Sequence, residues 1–155
     1  MIRRAENKDM DRINDLLYQV ELVHYNGRPD LFKCGAKKYT DEELMGLIAD
    51  DKTPIFVYED EDGIVQGYAF CVYQQYVGSN LMTDIKTLYI DDLCVDENCR
   101  GKHIGTKLYK YVLEYAKENG FYNVTLNVWE LNPAAKKFYE AMGLSVQKTG
   151  MEQIL

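Results

Sequence analysis

The stretch from Leu88 to Tyr115 constrains the fold of this chain more than any other. It opens with an aliphatic, β-branched run from Leu88 to Val95, which is typical of a buried strand. A basic segment with two glycines follows from Arg100 to Thr106. Apolar residues then recur at helical spacing from Ile104 to Tyr115. The pattern predicts a strand, a loop and a helix in direct succession.

The start of that helix predicts an anion site. The first backbone N–H groups of a helix have no partner inside the helix, and the helix dipole adds partial positive charge there. Arg100, Lys102 and Lys107 add whole charges. Together these features favour a seat for a phosphate or pyrophosphate group.

Two well-known phosphate loops are excluded by spacing. A Walker loop needs Gly-x4-Gly-Lys-Ser/Thr, whereas this chain has Gly101, Gly105, Thr106 and Lys107 at the wrong spacing and in the wrong order. The Gly-x-Gly-x-x-Gly fingerprint of dinucleotide-binding folds is absent. The anion site therefore belongs to a different class of fold.

Composition and net charge limit the kinds of ligand that the chain is expected to bind. The 155 residues suit one domain, 1–155, and the net charge of −7 disfavours nucleic acid and anionic membranes. No apolar run approaches the ~20 residues of a membrane span. The four cysteines form no CxxC pair, which is typical of reduced thiols in a cytoplasmic protein. A small cationic molecule is the favoured ligand.

A metal site is not predicted. Cys94, Cys99 and His103 lie close together in sequence. A fourth ligand at a usual spacing is missing, and the three residues would straddle a strand end and a loop.

The remaining patterns predict an α/β domain with the order β-α-α-β-β-β-α-β-α-β. The strand after the central helix must run parallel to the strand before it, because a helix crosses between them. The result is a mixed sheet with helices on both faces. Besides Leu88–Val95 and the helix ending near Asn119, the predicted strands are 2–5, 55–58, 64–76, 124–129 and 144–149 or beyond, and the predicted helices are 9–24, 40–48 and 132–143.

Two motifs and this element order resemble the GNAT N-acetyltransferase superfamily. Arg100 and Gly105 open and close an Arg-x-x-Gly-x-Gly/Ala loop, with His103 at the place of the first glycine. The segment from Asn132 to Leu144 is similar to the family's Asn-x-x-Ala-x-x-Phe-Tyr-x-x-x-Gly-Phe. His103 still offers its backbone N–H, and histidine enters the left-handed region more readily than a β-branched residue does.

The resemblance implies acetyl-CoA as co-substrate. It places the thioester carbonyl and the pantetheine on the backbone of the strand end, and the pyrophosphate on the loop. The residues it assigns to acetyl-CoA are Leu93, Cys94, Val95, Arg100, Gly101, Lys102, His103, Ile104, Gly105, Thr106, Asn132 and Lys137.

Tyr139 is the general acid that the resemblance implies. A tyrosine with an ordinary pKa near 10 is protonated at neutral pH, so it can donate a proton to the departing thiolate. The chain has 13 tyrosines, and only its place in the second motif distinguishes Tyr139 from the rest.

The general base is open among three carboxylates. Asp91 and Asp92 lie on the central strand, and adjacent strand residues point to opposite faces, so only one of them faces the cleft. Glu130 is the third candidate. Family members that acetylate protein N-termini often carry a Glu where this chain has Asn127, and asparagine cannot act as a base.

The favoured function is transfer of an acetyl group to a primary amine of a small cationic molecule, similar to an aminoglycoside, a polyamine or an amino compound. Peptide or protein acetylation, at an N-terminus or a lysine, is the alternative enzyme function. A non-catalytic acyl-CoA-binding regulatory module is the alternative of another class. A homodimer is a possible assembly.

Overall fold

The computed structural model describes every residue from Met1 to Leu155. Its strands are β1 (Ile2–Arg4), β2 (Ile55–Glu59), β3 (Val65–Gln74), β4 (Thr87–Val95) and β5 (Asn123–Leu126), and its helices are α1 (Met10–Gly27), α2 (Asp41–Ala49), α3 (Ile104–Glu118) and α4 (Pro133–Ala141). The five strands form one sheet in chain order. Neighbours from β1 to β4 are antiparallel, and β4 and β5 are parallel, as the intervening helix requires.

The helix ends follow the capping chemistry in the sequence. The Thr40 hydroxyl accepts a hydrogen bond from the Glu43 backbone N–H at 3.1 Å, and the Glu43 carboxylate accepts one from the Thr40 N–H at 3.3 Å. The Asn132 side chain caps the first turn of α4. Gly120, with a φ of +72°, follows the end of α3. These caps lie where the sequence predicted them. Two helix ends differ from the prediction: α1 continues past residue 24 to Gly27, and α4 ends at Ala141 instead of 143.

The sheet carries a separate hydrophobic core on each face. Helices α1 and α2 cover one face, where Ile13, Leu16 and Leu44 are fully buried. Helices α3 and α4 cover the other face, where Leu88 and Val112 are fully buried. The predicted mixed sheet with helices on both faces is confirmed.

The structure corrects two strand predictions. The strand predicted over 124–129 ends at Leu126, because β4 no longer runs beside the residues that follow. The strand predicted over 144–149 is absent, and these residues form neither helix nor strand. Val146 is 65% exposed, so the apolar–polar alternation of this segment finds neither a partner strand nor an apolar surface.

Gly67 of β3 allows α3 to pack directly on the sheet. A Cβ at this position would lie 2.8 Å from the Cys94 carbonyl oxygen and 3.1 Å from a methyl group of Leu108. Any larger residue would push the first turns of α3 away from β3 and β4. The position of the α3 N-terminus therefore depends on this glycine.

An ion pair fixes the end of β4. The Arg12 guanidinium of α1 donates to the Val65 carbonyl at 2.8 Å and pairs with the buried carboxylate of Asp96. The Asp96 side chain also accepts a bond from the Asn98 N–H at 2.8 Å. Its hydrogen bond with Arg12 holds the pKa of Asp96 below the ordinary value. The loop between β4 and α3 thus begins at an anchored residue.

That loop requires left-handed backbone at two positions. Gly101 has a φ of +84° and His103 a φ of +59°. His103 is the one non-glycine residue of the chain with positive φ. The predicted tolerance of histidine at this place in the loop is confirmed by its conformation.

We predict that valine at position 103 destabilises the protein and that glycine does not. A β-branched residue in the left-handed region is strained, so His103→Val should lower the free energy of unfolding by about 1–2 kcal/mol. His103→Gly relieves the strain but adds freedom to the unfolded chain, and the net change should stay within about 1 kcal/mol. Urea unfolding followed by circular dichroism measures both.

Lys102→Val is the matched control, since Lys102 is equally exposed but has no positive φ. It should change stability by no more than about 0.5 kcal/mol. Equal losses for the two valine variants would contradict the strain at His103.

Candidate active site

The site begins where β4 and β5 separate. The two strands pair from Thr87 with Asn123 up to Ile90 with Leu126, and no further. β4 continues to Val95, paired with β3 alone. One edge of the last part of β4 therefore presents backbone N–H and C=O groups to a gap. Such an edge can bind an extended, amide-bearing chain as an added strand would.

A β-bulge lies at the top of the gap. Phe70 of β3 pairs with Asp92 and Cys71 pairs with Ile90, so Asp91 is an extra residue in β4. The bulge also changes which face of the sheet the later side chains of β4 point to. Ile90 packs in the core on the α3 side, whereas Asp92, two residues later, points to the opposite face and contacts Tyr68.

A row of free backbone donors continues from the strand edge. None of the seven N–H groups from Arg100 to Thr106 donates to an acceptor within the protein. Two left-handed residues in this loop, Gly101 and His103, turn successive N–H groups toward one side. Together with the dipole of the 15-residue helix α3, these donors are the groups on which the predicted anion seat depends.

This loop opens into a depression of about 240 Å³. Gly105 lies at its floor, and a Cβ there would be 3.5 Å from the Phe138 ring and 3.6 Å from a Val95 methyl. The exposed side chains of Arg100 and Lys102 form no salt bridge. The depression is lined by Val95, Cys99, Arg100, Gly101, His103, Ile104, Gly105, Thr106 and Phe138.

Tyr139 lies on α4 beside Phe138, a residue that lines the depression, and packs against the α3-side core. Its ring lies 5.1 Å from that of Phe138 and 6.1 Å from that of Tyr109. Its hydroxyl forms no hydrogen bond within the protein, so it is free to donate to a bound group. Burial, and next the negative charge of Asp92, raise the pKa of Tyr139.

Asp92 directly follows the bulge residue, and its partner Tyr68 lies in the core on the α1 and α2 side of the sheet. Its carboxylate accepts a hydrogen bond from the Tyr68 hydroxyl at 2.7 Å. Burial raises the pKa of Asp92, and the charge of Lys38 and the bond from Tyr68 offset this only in part.

The Asp91 carboxylate contacts two residues of the connection between α1 and α2. The Lys38 ammonium lies 3.2 Å from the Asp91 carboxylate, and the Tyr39 hydroxyl lies 3.3 Å from the same oxygen. Asp92 contacts Tyr68, whereas Asp91 contacts Lys38 and Tyr39. Because Tyr39 and Tyr68 both pack in the core on the α1 and α2 side, the bulge does not give the alternation to opposite faces that the sequence predicted.

Three other residues that the sequence analysis assigned to the site differ in what their side chains contact. The Asn132 carbonyl oxygen caps Ala135 N–H at 3.2 Å, which leaves its amide N–H₂ group free. The Cys94 thiol is buried and lies 3.7 Å from the Leu16 carbonyl oxygen, so only its backbone faces the gap. Lys137 is exposed on α4, beyond the residues that line the depression.

The remaining carboxylate candidate is set apart from these groups. Glu130 is exposed on the segment between β5 and α4 and forms no salt bridge. Asn127 is also exposed, and its amide donates to the Tyr89 hydroxyl at 3.2 Å. The charge of Asp92 contributes to the raised pKa of Tyr139, and Glu130 is not among the groups that contribute to it.

Sequence reasoning missed three residues that contact the aspartates. Tyr68, Lys38 and Tyr39 all bond to Asp91 or Asp92. Tyr68 pairs with Cys94 and Phe70 pairs with Asp92, so Tyr68 is a diagonal neighbour of Asp92 in a register that the bulge sets. The sole sequence signal was the basic and aromatic character of the connection between α1 and α2.

An aromatic cluster links helix α1 to the segment that follows β5. The Phe32 ring stacks on His24 at 4.9 Å and meets Trp129 edge-on at 5.2 Å. His24 lies in the last turn of α1, and Trp129 follows β5. The cluster therefore joins the connection between α1 and α2 to the segment beyond the strand gap.

Groups of these kinds are what acyl transfer to an amine requires: backbone donors for an anionic ligand, a strand edge for its extended part, a carboxylate as base and a phenol as acid. No helix is long and apolar enough to cross a membrane.

Comparison with known proteins agrees with this geometry. The acetyltransferase (GNAT) family model matches residues 19–144. The chain is 30% identical over 148 residues to a thialysine N-epsilon-acetyltransferase of Bos taurus, covering 92% of this chain and 82% of that relative. It is 29% identical to streptothricin acetyltransferase A of Bacillus subtilis, covering 70% of this chain and 65% of that relative.

A solved structure shares the whole architecture. A mutant of the BH1408 protein from Bacillus halodurans superposes with a TM-score of 0.96 at 30% identity, covering 100% of this chain and 99% of that one. The family generally uses acetyl-CoA as co-substrate. Since its family match spans most of the chain and the fold agrees throughout, the protein belongs to the GNAT acetyltransferase family and is an acyltransferase.

Proposed function

We propose that this protein binds acetyl-CoA in the gap between β4 and β5 and transfers the acetyl group to a primary amine of a small cationic molecule. One observation carries the proposal. The unpaired edge of β4 runs directly into seven backbone N–H groups without acceptors, Arg100 to Thr106. An extended amide chain ending in a pyrophosphate is the ligand that such a sequence of groups fits.

The backbone of the strand end and the loop performs the binding. The edge from Leu93 to Val95 would pair with the pantetheine amides, and a backbone N–H there would stabilise negative charge on the thioester carbonyl oxygen. The loop donors and Arg100 would hold the pyrophosphate. Asn132 and Lys137 would contact the outer part of the ligand.

Tyr139 would supply the proton that the thiolate needs. Its raised pKa keeps the phenol protonated at neutral pH, and no protein group competes for its hydroxyl hydrogen. As the C–S bond breaks, sulfur becomes an increasingly good acceptor, so the donation matters most in the transition state.

Asp92 would accept the proton of the attacking amine, directly or through a water molecule. Its raised pKa makes it a stronger base than an ordinary aspartate, and its charge lies near Tyr139. Asp91 would instead contribute negative charge that attracts the acceptor, since its carboxylate is held by Lys38 and Tyr39.

A small cationic acceptor is supported by charge and by relatives. The chain carries a net charge of −7, and the two aspartates add local negative charge beside the gap. The names of the two relatives cited above, a thialysine and a streptothricin acetyltransferase, indicate amine acceptors. A panel of polyamines, aminoglycosides, thialysine and streptothricin, assayed for free CoA release, tests the proposal.

We predict that Tyr139→Phe lowers kcat by about 10- to 1000-fold while acetyl-CoA still binds. The ring and its packing remain, and water replaces the lost hydroxyl only in part. Tyr111→Phe is the control, because Tyr111 lies on α3 with its ring 5.1 Å from Phe56, outside the gap. Undiminished turnover by Tyr139→Phe, on every amine that the wild type accepts, would remove the acid from the mechanism.

We predict that Asp92→Asn lowers kcat by about 10²- to 10⁴-fold with little change in acetyl-CoA binding. Asparagine keeps the shape and still accepts the Tyr68 hydrogen bond. In the wild type, kcat should rise with pH through a pKa above the ordinary aspartate value, because the base must lose its proton. This acidic limb should vanish in Asp92→Asn.

Glu130→Gln serves as the control for this variant. It should keep wild-type turnover, since Glu130 is exposed and set apart from Asp92 and Tyr139. A loss confined to Glu130→Gln would transfer the role of base to Glu130.

A further inference from the structure

Lys38 holds an amine inside the site that the proposed function assigns to the acceptor. Its ammonium lies 3.2 Å from the carboxylate of Asp91, the bulge residue where β4 leaves β5. Of the lysines that form salt bridges, it alone pairs with a residue of the sheet; Lys8, Lys37 and Lys117 pair with neighbours in sequence. The Lys38–Asp91 pair therefore joins two segments that are far apart in the chain, which the three pairs on the surface do not do.

The Lys38 side chain is held in place by several groups. Its ammonium lies 5.4 Å from the centre of the Tyr39 ring, and its side chain is 29% exposed. Burial lowers the pKa of Lys38, but the charges of Asp92 and then Asp91 outweigh this effect and raise it. The amine is therefore held as a cation at the bulge, in direct contact with the Asp91 carboxylate.

The proposed base lies next to this amine along β4. Asp92 follows Asp91 directly and accepts a hydrogen bond from Tyr68 at 2.7 Å, and both carboxylates lie where β4 leaves β5. The charges of both carboxylates raise the pKa of Lys38. The amine therefore lies beside the strand edge to which the proposed function assigns the thioester.

We propose that Lys38 is an acetylation site that the protein modifies on itself, in cis, with acetyl-CoA as the donor. The inference rests on the proposed function. The lone pair of Nζ, once a proton has left for Asp92, forms the N–C bond to the carbonyl carbon, and the C–S bond breaks with its electron pair on sulfur. Of the two protons that the ammonium loses in all, one ends on the CoA thiol and one in solvent.

Acetylation would change the charge of the acceptor site. The amide of acetylated Lys38 is neutral, so Asp91 would lose its ion-pair partner. The two aspartates would then face the gap with no protein cation beside them. The modified protein would attract a cationic acceptor more strongly than the unmodified one does.

The test is a time course of the wild-type protein with acetyl-CoA and no added amine, with acetylated lysines located by peptide mass spectrometry. Lys37 is the internal control: it is adjacent in sequence, pairs with Asp41, and has a more exposed side chain, 55% against 29%. Uncatalysed acetylation from solution should favour Lys37. We expect Lys38 to react at least about tenfold faster, because its amine is already positioned.

Two further rate measurements test whether the reaction occurs in cis at the proposed site. The rate constant at Lys38 should not depend on protein concentration, and Tyr139→Phe should slow Lys38 while leaving Lys37 unchanged. Lys37 reacting as fast as Lys38, a rate proportional to protein concentration, or equal rates in Tyr139→Phe and wild type would each overturn the inference.

A parallel assay separates this inference from the proposed function. Free CoA release is followed with the amine panel on the same preparation. If amines are acetylated and Lys38 is not, self-acetylation fails and the proposed function stands. If neither the amines nor Lys38 are acetylated, the proposed function fails as well.

Discussion

One extra residue in β4, Asp91, determines how the site is built. A bulge bends its strand and increases the local twist, and here it lies immediately after the last pair that joins β4 to β5, Ile90 with Leu126. Beyond it the two strands separate, and the end of β4 keeps one free edge. The same residue reverses the alternation, so Asp92 faces Tyr68 rather than the α3-side core. Both the strand gap and the aspartate at its rim depend on this bulge.

The opposite end of the gap depends on close packing. Gly67 lets the first turns of α3 lie on the sheet, and the Arg12–Asp96 pair fixes the end of β4. The seven free N–H groups of the loop are thereby held in one orientation, with little reorganisation left for a ligand to induce. Preorganised backbone donors of this kind bind an anion at a low entropic cost. In an acidic protein they form a local positive region.

The sequence predicted the parts of the molecule that rest on local chemistry. The capping box at Thr40, the Asn132 cap and the crossover helix each depend on residues close together in the chain, and all were found. The left-handed conformation of His103 belongs to the same group. These features need no knowledge of register.

The parts that could not be predicted depend on distant pairing. β5 is shorter than its apolar run, because β4 turns away at the bulge, and the segment over 144–149 finds no strand beside it. The contacts of Asp91 with Lys38 and of Asp92 with Tyr68 span 53 and 24 residues. A one-residue change of register would redirect both aspartates, and no local pattern in the sequence specifies that register.

The most direct test of acetyl-CoA binding along the strand edge and loop is a calorimetric titration with acetyl-CoA and with S-acetylpantetheine, which lacks the pyrophosphate and nucleotide. We expect the wild type to bind acetyl-CoA at least about 100-fold more tightly, because hydrogen bonds to a charged group contribute about 1.5–3 kcal/mol each. Arg100→Glu, which places a negative charge at the seat, should remove most of that difference. Equal affinity of the wild type for the two compounds would contradict the assignment of Arg100 to Thr106 as the pyrophosphate seat.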